Sequence, residues 1–199
     1  MVRSKFLGPL AVLVSLGVAT VARATVMVEV PLERMVAESS AIVLGRVERV
    51  GVRLELDAQH HATPHTVSVV RVSEWLRGPG TSELVTIDEI GGTSPTLSMA
   101  VAGTPEYRRG EEVVVFLRAL GGDRYRTFAM AQGHFEILRG VPGADDVVVR
   151  DTSAIGLASW EHGPMTITHG HRSAMRLAHF LGYVRTTLEQ VDADLRRVR

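Results

Sequence analysis

Histidine is the residue type most able to carry chemistry in this chain: there are eight, and six fall in two groups. His60, His61 and His65 share the polar segment DAQHHATPH, and His162, His169 and His171 cluster near the C-terminal end. In His169-Gly170-His171 an extended backbone puts both imidazoles on one face, a spacing that two ligands of one metal ion can use. Neither group matches H-E-x-x-H, and no carboxylate stands at a diagnostic offset. Solvated turn histidines are the favoured reading, with His169 and His171 kept as the metal alternative. Asp88-Glu89 and Asp145-Asp146 lack EF-hand spacing and read as solvated acidic edges. No G-x-S-x-G elbow occurs, and Ser153 beside Asp151 reads as a polar turn. Neither glycine-rich phosphate loop is present. The chain has no cysteine, which excludes disulfides, thiol catalysis and thiolate metal sites together. Trp75, Tyr107, Phe116 and Phe135 follow β-type patterns and are expected in the core. No catalytic residue and no cofactor are implied.

The first 24 residues read as a secretory leader. Arg3 and Lys5 make a basic start, residues 6–22 are apolar, and Ala22-Arg23-Ala24 is an A-x-A site. Cleavage there leaves Thr25 first, with 19 arginines against 22 acidic residues and a net charge of −3. That balance argues against a general nucleic-acid binder. The expected address is the periplasm or the exterior, with no stable membrane span in the mature chain.

The elements that must position any site are mostly strands. Ala41–Leu56 is dense in Val, Ile and Leu and too long to run straight across a small domain, so it should bend, at Gly45 and again at Gly51. A short helix over residues 31–40 precedes it, with Leu32, Met35 and Val36 at helical spacing. Further strands are expected at 66–72, 83–90, 112–117, 124–131, 134–138 and 147–150, with Gly121-Gly122-Asp123 as a hairpin turn and Gly133 as a bulge. Residues 112–117 contain VVVFL, which suits a strand covered on both faces. From Ser173, a plausible cap, Leu177, Leu181, Val184, Leu188, Val191 and Leu195 recur at helical steps. The organisation is then residues 1–24 leader, 25–150 β-domain, 151–171 connection and 172–199 C-terminal helix.

Residues 91–105, GGTSPTLSMAVAGTP, contain no charge and are long for a structureless connection, or else carry a short strand at 97–101; such loops are often functional. Gly91, Gly92, Thr93, Ser94, Pro95 and Met99 are the candidate binding residues.

The succession ESSAIVLGRVERV, TVSVVRVSEWLRG and YRRGEEVVVFLR, with Gly45, Trp75, Gly78 and Gly110, resembles an uncharacterised group of exported bacterial β-barrel proteins. It is also similar to the tissue-inhibitor-of-metalloproteinase and netrin-module superfamily over residues 39–138. The resemblance implies a mainly β fold: a small OB-like barrel, closed or partly open, with a short N-terminal helix and a C-terminal amphipathic helix. Inhibitors of that superfamily grip a protease zinc through an N-terminal cysteine, and Thr25-Val26-Met27 offers none. The implied function is an exported, non-enzymatic recognition module for a protein, a protease among the types allowed, or an envelope component. The alternatives are a histidine-metal hydrolase and an assembly protein that uses the C-terminal helix as a seam.

Overall fold

The apolar run from Ala41 to Leu56 is a single strand, β2 (Ala41–Leu56), in a computed structural model that describes residues 25–56, 58–160 and 163–197. The expected leader and His162 lie outside the described residues. β2 pairs antiparallel with β3 (Ala62–Arg77), and the register shifts at Ile42/Val43, Leu44/Gly45 and Val47/Arg49. A register shift therefore falls at Gly45, with the extra residue, Ser73, on β3. None falls at Gly51, where the second bend was expected: Gly51 pairs regularly with Val67, and the extra residue of β2 is Glu48. Crowding separates the two glycines. A Cβ on Gly45 would stand 2.3 Å from the Arg71 carbonyl oxygen, while one on Gly51 would meet nothing within 4 Å.

β3 pairs onward with β4 (Leu84–Ile90), and the other edge of β2 pairs with β7 (Glu112–Gly121). Val113 to Leu117 of β7 are fully buried, because apolar layers cover both of its faces. A turn at Gly122 and Asp123 leads into β8 (Arg124–Thr127), which runs antiparallel to β7 and parallel to β4. The pairings thus pass from β7 through β2, β3, β4 and β8 back to β7. The parallel contact is short, Thr86 with Arg124 and Ile87 with Tyr125. Between β4 and β7 the chain forms two short strands, β5 (Gly92–Thr93) and β6 (Ser98–Met99). After β8 a 3₁₀ turn (Met130–Gly133) stands where a bulge was expected.

Beyond β7 the sheet continues through β9 (His134–Leu138), β10 (Val147–Asp151) and β13 (Arg172–Arg176). A separate three-stranded sheet joins β1 (Thr25–Val28) in parallel to β11 (Ile155–Ser159), and β11 to β12 (Thr166–His169). Residues 151–171, read as a connection, are therefore largely strand. The C-terminal helix α2 (Leu177–Arg197) starts at Leu177, because Ser173 is a ladder residue opposite Arg150 rather than a cap.

Two apolar layers lie on opposite faces of β2 and β7. On one, α1 (Leu32–Glu38) and α2 bring Met35, Val36, Leu177, Phe180, Val184 and Leu188 onto Ile42, Val114, Phe116 and Phe135. The aromatic rings meet at 4.7–6.4 Å between centroids. The other layer joins Val43, Val47, Val70, Val85, Ile87, Tyr107, Val115 and Tyr125. At roughly 25 cal/mol per Å² of apolar surface removed from water, such burial is the main stabilising term in a chain without disulfides. Among the described residues, no helix is long and apolar enough to cross a membrane.

Candidate functional site

Strand alternation sends Asp88 and Glu89 of β4 to opposite faces, and both are buried, at 1% and 3% exposure. The solvated acidic edge read from their sequence is thus corrected. Glu89 points to the side of Val85 and Ile87, where its Oε1 accepts the Thr127 backbone N–H at 2.7 Å. Thr127 in turn shares a 2.6 Å hydrogen bond with the Tyr107 hydroxyl. Burial pushes the Glu89 carboxyl up, and the hydrogen bonds from Thr127 only partly oppose it.

Asp88 faces the other way and meets three cationic or titratable donors. Arg53 donates from Nη2 to Oδ2 at 2.6 Å, Arg124 donates from Nη2 to the same oxygen, and His65 Nδ1 bonds Oδ1 at 2.7 Å. Each donor comes from a different strand, and register places them. Arg53 of β2 stands opposite His65 of β3, Val67 opposite Asp88, and Arg124 of β8 opposite Thr86. Burial alone would raise the Asp88 carboxyl, but hydrogen bonds from His65, Arg124 and Arg53 outweigh it and hold it at about 2. His65 is accordingly a buried strand residue, not a solvated turn histidine.

The same two Nη2 atoms, and the other ring nitrogen of His65, also lie near Glu55. Its Oε2 lies 2.8 Å from Arg53 Nη2, 3.8 Å from His65 Nε2 and 3.9 Å from Arg124 Nη2. Among the described residues, Glu55, His65 and Asp88 are the group of possible metal ligands that comes together, with donor atoms within 4.8 Å of one another. Two guanidinium groups press on that group, however, and their charge opposes a divalent cation there. His169, by contrast, lies in an exposed strand opposite Gly156. The backbone of His171 is tied to Thr152, whose N–H and hydroxyl donate to its carbonyl.

The candidate binding loop lies beside this cluster. Gly92 pairs with Met99 and Thr93 with Ser98, so residues 92–99 form a small flap of two short strands rather than one strand at 97–101. Ser94 closes its tip, accepting the Leu97 N–H at 3.0 Å and donating from its hydroxyl to the Leu97 carbonyl, and Pro95 is exposed there. The flap is rooted on β3: Gly91 N–H donates to Pro64 O at 2.8 Å, and the Thr66 hydroxyl donates to Gly91 O at 2.9 Å. Gly91 and Gly92 adopt φ of 107° and 135°, and a Cβ on Gly92 would stand 2.6 Å from the Thr66 hydroxyl, so glycine is required. Between flap and body lies a cleft of about 400 Å³ lined by Thr66, Gly91, Gly92, Met99, Tyr107 and Arg108.

A second cavity, of about 370 Å³, opens between residues 103–111 and β10. His134 lines it, with Nε2 3.2 Å from Glu111 Oε1 and its ring edge-on to Tyr107. Ser153 donates to Asp151 from both its N–H and its hydroxyl, as a polar turn should.

Arg53, Glu55 and Arg124 were not singled out from the sequence, and Asp88 and His65 were given the wrong surroundings. One signal was present: an Asp-Glu pair inside a β-branched strand must send one carboxylate to each face. No family model matches the chain, and no curated protein matches it.

Proposed function

We propose that the chain is an exported, non-enzymatic recognition module that holds a protein or a cell-envelope component against the flap at residues 91–105. The cleft carries this reading. It joins an uncharged, glycine-rooted flap to the polar edge of the body at Tyr107 and Arg108, the mix of apolar wall and few polar groups that binding clefts use. The scaffold suits the task. We read the pairing cycle of β2, β3, β4, β7 and β8 as an OB-like barrel, supported by its three-strand meander, its parallel β4–β8 contact and the bulge at Gly45. The expected leader supplies the address.

The other two readings draw less support. Among the described residues, the group of converging ligands is Glu55, His65 and Asp88, and neither His169 nor His171 is in it. The N-terminal part of the apolar stripe of α2 packs on its own sheet, with Leu177, Phe180, Val184 and Leu188 buried, while Leu195 near its end is exposed.

Because Gly92 and Met99 are paired, Thr93 to Ser98 can be replaced by a two-residue Gly-Ser link without separating the strand ends. The shortened protein should unfold at the same urea concentration as the parent and lose capture of partner from an extracellular extract. Undiminished capture by a folded variant overturns the site.

A further inference from the structure

Glu55 occupies a place built for a negative oxygen without filling it. Its Oε2 makes one direct contact, 2.8 Å to Arg53 Nη2, while His65 Nε2 and Arg124 Nη2 stop at 3.8 and 3.9 Å, beyond hydrogen-bond reach. The three donors are held in place from behind by Asp88, which takes Arg53 and Arg124 on Oδ2 and His65 on Oδ1. A carboxylate buried at 1% exposure thus acts as a hub, and it holds three donor nitrogens within 4 Å of the Glu55 oxygen.

Charge balance gives the class of occupant. Arg53 and Arg124 carry two positive charges, and Asp88 cancels one. The nearby Arg126 is engaged elsewhere, on the Asp88 carbonyl and toward Glu89. With Glu55 in place the cluster is neutral; with Glu55 swung out it carries one positive charge. A single oxyanion completes it, and a divalent cation does not.

Glu55 is also able to leave. Its side chain is 45% exposed, one residue from the end of β2, and the chain beyond it is the turn that carries His60 and His61. We propose that Arg53, His65 and Arg124, set by Asp88, form an oxyanion-binding cradle in which Glu55 is an intramolecular stand-in, displaced by a carboxylate or phosphate group of a ligand. The cradle adjoins the root of the flap, where His65 bridges Gly91, but it uses none of the residues that line the cleft.

Removing a tethered competitor raises the affinity for a free one, because the tether acts at an effective concentration in the millimolar range. The test follows the imidazole resonances of His65 by nuclear magnetic resonance in the purified protein, with the exposed His169 as an internal control, while inorganic phosphate or acetate is added. Glu55→Gln should bind at least one of these probes ten times more tightly than the parent, with His65 moving saturably and His169 not moving. Adding Arg124→Gln to Glu55→Gln should remove the gain. The probe that gains more tells whether the natural group is a phosphate or a carboxylate. The proposal is overturned if Glu55→Gln gains nothing for either probe, if the gain survives loss of Arg124 in a folded double variant, or if His65 stays still. Stoichiometric zinc binding at His65 that Glu55→Gln abolishes also overturns it.

Discussion

Asp88 and Glu89 are adjacent, both carboxylates and both nearly sealed from water, yet their acidities move in opposite directions. Glu89 lies among Tyr107, Val85 and Ile87, where burial raises it and the Thr127 bonds and a guanidinium 4.0 Å away do not make up the difference. Asp88 lies on the opposite face, where two arginines and a histidine reach it from three strands. Low solvent exposure alone therefore does not decide the charge of these two acids. Direct charged donors separate the two: Asp88 receives hydrogen bonds from Arg53, Arg124 and His65, while Glu89 has the Thr127 bonds and a guanidinium no nearer than 4.0 Å.

Asp88→Ala should have the largest effect. It leaves two guanidinium groups and an imidazole facing one another without their counter-charge, and should cost about 3 kcal/mol in urea unfolding. A loss much smaller than that would mean that the arginines re-pair on Glu55 and that the hub is dispensable.

Acid should act next on the same residue. The folded Asp88 carboxyl ionises at about 2 against an ordinary 3.8, so its contribution is complete above the higher value and is lost as pH falls through that window. The loss should amount to about 2 kcal/mol. Asp88→Asn should lack this component when the two proteins are unfolded in urea at a series of acidic pH values.

Glu89→Gln should show the smallest effect and the opposite sign. The amide still accepts the Thr127 N–H but carries no buried charge, so the variant should be more stable at neutral pH by up to about 1 kcal/mol. Since the Glu89 carboxyl is raised in the fold, the advantage should vanish as acid protonates the parent. A variant that is instead less stable at neutral pH would show that the Glu89 charge is wanted.

The strands that bury one continuous apolar pattern were legible: β2 has the limits read from its composition, β9 likewise, and Val113 to Leu117 proved to be covered on both sides. The apolar spacing of α2 also marked Leu177, Val184 and Leu188 of its buried face, although the helix starts at Leu177 and not at residue 172. What stayed hidden depended on register. His65 and Asp88 are 23 positions apart, and only the β3–β4 pairing brings the imidazole onto the carboxylate. The strands β11 and β12 were missed because Gly156, Ala158 and Ser159, with Thr166 and Thr168, dilute the alternation that identifies a strand. Gly51 misled for a related reason: a glycine marks a bend only where other backbone crowds it, and the β2–β3 arm is open there.

The first strand has a consequence in time. Thr25 pairs with Ile155, 130 positions later, and Val30 N–H and Val28 O are bound by the side chain of Gln132. At roughly 5–20 residues per second of synthesis, β1 waits on the order of ten seconds for these partners to exist. During that wait β1 has no partner strand, while β2, β3 and β4 already have one another.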